Sequence, residues 1–266
     1  MLDKITSLTN PKVKELVKLR EAAQRKKSGV IVVEGYREIE RAIEAKVNFK
    51  EFYICKYFVK TLAQKETLKK IMALNVPIYE TSSEVYEKIS YGDRNEGLMA
   101  IAQPKYSSFF DLPSKDDLFI LVIEQVEKPG NLGAILRTAD GVGVDGIIVC
   151  DAKTDIYNPN VIRSSLGTIF STKVVVSSVA PTFDFLKSKG VKICATSPDA
   201  DFIYSKADLK APVAIVVGSE QEGLSRFWLS KADLKVRIPM RGKADSLNVS
   251  TSTAILLYEA LRQSSS

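Results

Sequence analysis

Short apolar runs alternate with amphipathic stretches along this chain, the pattern of strands interleaved with helices. Asn10-Pro11 reads as a helix start, with Asn as cap and Pro at the first helical position. The periodicity carries that helix to about Ala23, with Val13, Leu16 and Val17 inward and Lys12, Lys14 and Lys18 outward, and Gly29 breaks it. GVIVVEG predicts a strand and turn, Tyr36 to Ala45 a helix, FYIC a strand and Thr61 to Leu74 a second amphipathic helix. Val76–Tyr79, a short helix near Glu84 to Ile89 and the strand Leu98–Ala102 complete a layered α/β unit. The stretch Gln103 to Asp117, QPKYSSFFDLPSKDD, has the composition of a linker, with the Phe109-Phe110 pair expected to pack against one of the flanking units. Five or six strands follow: Leu118–Ile123, Gly146–Cys150, Lys173–Val176, Val191–Ala195, Val213–Val217 and Lys235–Ile238. They are nearly all apolar, as expected of a parallel sheet covered on both faces. The expected division is a first domain over 1–105, a linker over 106–117 and a second domain over 118–266.

Composition narrows the chemistry. A chain of 266 residues is long enough for two cores. MLDKITSLTN carries no apolar signal core and the longest apolar runs are strand-sized, so neither secretion nor a membrane span is expected. The three cysteines, Cys55, Cys150 and Cys194, each close a short apolar run. They read as buried strand residues in a reducing cytoplasm, not as a disulfide set or a metal site. The chain has no histidine, which excludes Ser-His-Asp and Cys-His catalysis and every His-based metal site.

The net charge of +6 is uneven. Residues 1–105 hold 20 Lys+Arg against 14 Asp+Glu, whereas 106–266 hold 18 of each. The whole excess lies in the first part, and Lys12, Lys14, Lys18, Arg20, Arg25, Lys26 and Lys27 crowd its first helix and the turn after it. This suggests a polyanion partner; an ordinary solvated lysine face is the competing reading.

Three corners carry the sharper signal. PGNLGAILRTA (Pro129 to Ala139) follows the strand LFILVI, GSEQEGLS (Gly218 to Ser225) follows VAIVV, and the segment from Ile238 to Glu259 runs from a strand end through a loop into a helix. Each joins a strand to a helix with Gly plus Asn, Ser or Glu, which suggests one composite site at the carboxyl ends of parallel strands. GVGVDG (Gly141 to Gly146) is not a dinucleotide fingerprint, because it follows a helix and precedes a strand.

In this order the corners resemble the SpoU/TrmH family of SPOUT RNA methyltransferases, from about Leu118 to Arg262. Asn131, Gly133, Arg137 and Thr138 stand at the first motif. Gly218, Glu220, Gly223, Leu224 and Ser225 stand at the second, and Ile238, Pro239, Met240, Ser246, Leu247, Asn248, Val249 and Ser250 at the third. The resemblance implies a carboxyl-terminal SPOUT α/β domain with a parallel sheet and a deep trefoil knot, an exception to the rule of unknotted chains. It places a small ribosomal-protein-like α/β RNA-binding domain in front. It also implies ribose 2′-O-methylation with S-adenosylmethionine, no metal, and a homodimer paired through the second domain. The layout resembles the rRNA-modifying branch, so ribosomal RNA is the expected substrate ahead of tRNA.

The resemblance also assigns residues. Arg137 is the first catalytic candidate. A guanidinium titrates above about pH 12, so a fork on RNA phosphate that stabilises the developing alkoxide suits it better than acting as a base. Asn131 orients Arg137 or the substrate, and Glu220 pairs with one of them. Asn248 and Ser246 bind ribose, the methionine part or nearby backbone, with helix capping as the rival role. Gly218, Ile238 and Leu247 match cofactor positions, with Thr196 and Met240 at the border of the same pocket. Arg163, in NPNVIRSSLG, matches a second arginine that grips RNA phosphate. Ser219 stands where the family often has Asn. Two other readings are a catalytically silent RNA-binding or assembly protein on this fold, and a SPOUT enzyme that methylates a base. Intact Asn131, Arg137 and Glu220 argue against the first, and NLGAILRTA against the second.

Overall fold

The computed structural model describes residues 3–92 and 95–264. In chain order the first elements are β1 (Asp3–Ile5), α1 (Pro11–Lys18), α2 (Ala22–Ser28), β2 (Ile31–Glu34), α3 (Tyr36–Glu44) and β3 (Phe49–Ile54). Next come α4 (Leu62–Met72), β4 (Ile78–Thr81), α5 (Ser83–Ile89), β5 (Leu98–Ala102), β6 (Phe119–Glu124), α6 (Pro129–Val142) and β7 (Gly146–Cys150). The remainder are α7 (Pro159–Ser164), α8 (Thr168–Ser171), β8 (Val174–Ser177), α9 (Val179–Ser188), β9 (Lys192–Thr196), β10 (Phe202–Ile203), β11 (Val213–Val217), α10 (Arg226–Lys231), β12 (Leu234–Arg237) and α11 (Val249–Ser264).

The chain forms two compact units, Met1–Lys105 with Tyr157–Ser171, and Tyr106–Ile156 with Thr172–Ser266. In the first, five strands lie in the order β1-β4-β3-β5-β2. β1, β4 and β3 are parallel, while β5 runs antiparallel between β3 and β2. Ile5, Val13, Leu16, Val85, Tyr86 and Ile89 are buried on one face. The single helix expected to Ala23 is two, because the chain turns after Leu19 before α2 begins. Arg25, only 3% exposed, fixes that turn by donating to the carbonyls of Leu19 at 2.9 Å and Arg20 at 2.7 Å. Gly29 then stops α2 in the left-handed region at φ 63°, where glycine carries no Cβ penalty. β1 is three residues with only Ile5 buried, too short to show a period.

The segment Tyr157–Ser171, which lies in sequence beyond the expected boundary at 118, clusters with the first unit. α7 packs on β2 and α8 on α3. Gly167 has φ 81°, and a Cβ there would lie 2.8 Å from the Glu38 Cα. The Arg41 guanidinium also donates to the Leu166 carbonyl.

The second unit is a seven-stranded sheet in the order β10-β12-β9-β11-β6-β7-β8, parallel throughout. β6, β7 and β11 are almost wholly buried, which is why they read as continuous apolar runs and not as alternations. The two-residue β10 adds a strand that no periodicity could reveal. Part of the expected linker is integrated into this unit. Leu112 joins the core and Phe109 stacks on Phe185 at 4.7 Å, whereas its neighbour Phe110 is fully exposed.

Candidate active site

Parallel strands leave their carboxyl ends on one side of a sheet, and the three sequence corners stand there after β6, β11 and β12. The pairings Val217↔Ile123, Val216↔Ala195 and Val236↔Thr196 put the ends of β6, β11, β9 and β12 in one row. The loop after β11 closes on itself, with the Ser219 N–H on the Gly223 carbonyl at 3.0 Å and the reverse bond at 3.2 Å. Its two glycines serve different ends. A Cβ on Gly218 would overlap the Gly223 and Leu224 backbone, whereas Gly223 has open space but φ 68°. The Ser219 hydroxyl accepts the Glu222 N–H at 3.1 Å, so the serine at this departure from the family pattern acts as a turn former.

A cavity of about 510 Å³ opens beside this loop. Thr196, Gly218, Ile238, Met240, Ser246 and Leu247 all line it, together with Glu220 and Asn248. The volume is in the range of small-molecule sites. The lining mixes apolar side chains with the backbone of a close-approach glycine loop, and that suits an adenosine with an amino-acid tail. Among the described residues, no group of three or more His, Cys, Asp and Glu side chains could hold a metal ion.

Glu220 organises the polar side. Its Oε1 accepts the Asn131 side-chain N–H at 2.6 Å, and its Oε2 accepts the Glu127 backbone N–H at 3.4 Å. The Asn248 amide N–H reaches the Asn131 Oδ1 at 3.3 Å. An ionised carboxylate only accepts, so Asn131 must turn its NH2 to Glu220 and leave its carbonyl for Asn248. Burial pushes the Glu220 carboxyl up. The Asn131 bond and the N–H groups of its own backbone, Glu127 and Lys128 outweigh that and hold it below the usual carboxylate range. Asn248 also caps α11, its Oδ1 accepting from the Ser250 N–H at 2.9 Å and the Ser250 hydroxyl at 2.6 Å. The capping role and the site role therefore coexist in one side chain.

Arg137 is exposed on α6 and makes no hydrogen bond or ion pair among the described residues. It lies six residues past Asn131, about 240° around the helix, so the two leave α6 in different directions. Of these two residues, Glu220 therefore pairs with Asn131 and not with Arg137. Glu124 escaped sequence reasoning. It is 2% exposed at the end of β6, and its carboxylate takes the Ser225 N–H at 2.7 Å, tying the first corner to the second. A terminal Glu on an apolar strand was the available signal.

The cations of the first unit divide into groups. Lys14, Lys18, Lys26 and Lys27 are exposed. Lys12 is engaged, 2.7 Å from Glu51 and 4.5 Å over the Tyr79 ring. Arg25 is buried on two carbonyls, which corrects its assignment to an RNA-facing set, since it cannot reach a phosphate. Arg163 is half-buried and donates to the Tyr91 carbonyl at 2.6 Å. The three cysteines are free and buried, and burial raises all their thiols, Cys150 and Cys194 to about 12.

Known proteins give this geometry a family. Residues 118–258 match the SpoU rRNA Methylase family, and residues 10–100 match the MRM3-like substrate binding domain. A 23S rRNA (guanosine(2553)-2′-O)-methyltransferase of Bacillus subtilis is 28% identical over 97% of this chain and 98% of its own. A solved RNA 2′-O ribose methyltransferase superposes with TM-score 0.87 at 41% identity, covering 98% of each chain. An AdoMet-bound rRNA methyltransferase from Sinorhizobium meliloti gives TM-score 0.87 at 28% identity, again over 98% of each. With matches along both units, the second and third corners around one cavity and the first bonded to them through Asn131, this chain belongs to the SpoU rRNA methylase family, whose cofactor is S-adenosylmethionine.

Proposed function

We propose that this protein methylates the 2′-hydroxyl of a ribose in ribosomal RNA, acting as a homodimer in the cytoplasm. The observation that carries the reading is the Asn248–Asn131–Glu220 chain at the rim of the cavity lined by Gly218, Ile238 and Leu247. The relatives named above, whose names specify 2′-O chemistry and 23S rRNA, support the substrate.

S-adenosylmethionine supplies an activated methyl group, so the protein's task is to orient and to stabilise charge. Gly218, Ile238, Leu247, Met240 and Thr196 hold the cofactor, mostly through backbone groups and an apolar slot. Asn131, fixed by Glu220 and Asn248, presents a rigid amide to the ribose, with Ser246 beside it. Arg137, with no partner among the described residues, grips the phosphate next to the target ribose and stabilises the alkoxide as the hydroxyl passes its proton to that phosphate or to water. The loops after β11 and β12 form the trefoil knot implied by the family resemblance, and their approach around one cavity supports this. Pairing is through the second unit, in keeping with the apolar surplus of α11, where Tyr258 stays 53% exposed. Residues 1–105 together with Tyr157–Ser171 form the RNA-binding unit, and Tyr106–Ile156 with Thr172–Ser266 form the catalytic unit. Among the described residues no helix is long and apolar enough to cross a membrane.

The test is transfer from methyl-labelled S-adenosylmethionine to total ribosomal RNA, followed by alkaline digestion. A ribose methyl blocks cleavage and leaves the label in an alkali-resistant dinucleotide. Label released in mononucleotides would indicate base methylation and overturn the reading.

A further inference from the structure

The first unit carries an aromatic side chain that is mostly exposed. Tyr57 stands in the loop between β3 and α4 with 69% of its surface exposed. Its hydroxyl has no hydrogen bond among the described residues. Lys60 lies 5.3 Å from its ring centroid, and Lys56 precedes it, paired with Glu80 at 2.7 Å. Lys4 also acts on Glu80, so lysines outnumber the carboxylate facing them.

The loop that presents Tyr57 is rigid. Cys55 N–H bonds the Gly97 carbonyl at 2.9 Å, and the Phe58 N–H bonds the Cys55 carbonyl at 3.1 Å. The Gln64 side chain accepts the N–H groups of Lys60 and Thr61, both at 2.8 Å, and donates to the Glu96 carbonyl at 3.2 Å. The Thr61 hydroxyl accepts the Gln64 N–H at 3.2 Å, completing a capping box. Gly97 allows the close approach, since a Cβ there would sit 3.0 Å from Phe58 and Val59. Phe58 anchors the Tyr57 ring edge-on at 5.1 Å and packs into the core near Tyr86 at 5.8 Å.

A fixed, solvent-facing ring flanked by ammonium groups meets two needs of an unpaired nucleotide, a π-face to stack on and charge for the phosphate. We propose that Tyr57, with Lys60 and Lys56, is a stacking platform for an unpaired base of the RNA substrate. Charge complementarity favours RNA, because Lys60 lies over the ring and Lys56 precedes it. The inference rests on the RNA-modifying reading above and adds a specific base contact to it.

The probe is a single-stranded RNA oligonucleotide containing 2-aminopurine, whose fluorescence is quenched by stacking. Full-length protein should quench it. Tyr57→Ala should lose the quench and bind about tenfold more weakly, with the salt dependence unchanged. Tyr57→Phe should retain both, because the ring does the stacking. Lys60→Ala should instead lower the salt slope by about one ion. Tyr57 is exposed, so a folding failure is not expected, and an unchanged melting temperature for Tyr57→Ala checks this. Equal quenching and affinity in Tyr57→Ala and the wild type, or no binding of the probe by the wild type, would overturn the platform. Methyl transfer to ribosomal RNA by the wild type is read separately. The platform can therefore fail while that activity stands, and loss of that activity leaves the stacking measurement intact.

Discussion

At the rim of the cavity two amides, Asn131 and Asn248, are organised around one carboxylate, Glu220. Glu220 is useful only while ionised, since a protonated carboxyl would offer a donor where Asn131 already donates. Its pKa lies below the ordinary value, so the stability it contributes is fully present above the unfolded carboxylate pKa and is lost as pH falls through the folded one. The melting-temperature difference between wild type and Glu220→Gln should therefore stay constant from neutral pH to about pH 5 and shrink below it. A difference that begins to shrink above pH 6 would mean that another group is responsible. Arg25 makes the opposite point about reading residues singly. In sequence it belongs to a basic cluster, but in the fold it caps a turn. Arg25→Ala should cost about 1–3 kcal/mol of stability, because two carbonyls lose a charged donor, and should leave the salt dependence of RNA binding unchanged. Thermal unfolding and a salt titration measure the two effects independently.

Among elements, the corner after β11 shows why two glycines in one loop are not equivalent. Gly218→Ala drives a methyl into backbone that cannot move without opening the Ser219–Gly223 pair, so S-adenosylmethionine affinity should fall at least tenfold. Gly223→Ala meets no atom but must hold φ 68°, a strain of roughly 1–2 kcal/mol, or a few degrees in melting temperature. Calorimetric titration with the cofactor should rank the two variants in that order. The strands and most helices were legible because burial on both faces produces apolar runs and the helices carry caps and periods. Gln64 closes a capping box that the Thr61 helix start already hinted at. The short β1 and β10 and the break between α1 and α2 were not legible. Their determinants are a distant strand partner and the Arg25 contacts, and neither leaves a period in the chain.

For the whole molecule, the three corners were legible because they stand at the ends of predicted strands, whereas the residues expected at the cavity and the Asn131–Glu220 pairing came from the family resemblance of those corners. The membership of Tyr157–Ser171 in the first unit could not, because it follows from packing of α7 on β2 and α8 on α3. A chain that begins at Ser107 would leave Val161, Ile162, Ile169 and Phe170 without that packing, so truncation is a poor test of which unit anchors RNA. Replacing the exposed Lys14, Lys18, Lys26 and Lys27 with alanine keeps the fold. It should lower the salt slope of RNA binding by about 0.7–0.9 for each lysine that touches a phosphate. An unchanged slope would place the anchor elsewhere. In the proposed reaction, holding the cofactor and moving the methyl group fall to different residues, and Arg137→Ala separates them. S-adenosylmethionine affinity should match the wild type by calorimetry, while alkali-resistant methylated dinucleotide from ribosomal RNA falls by about a hundredfold or more, as when a stabilising donor is removed from a transition state. Arg137→Lys should be nearly as poor, because one ammonium cannot replace a planar fork. Undiminished dinucleotide from Arg137→Ala, with affinity intact, would show that Arg137 takes no part in the transfer.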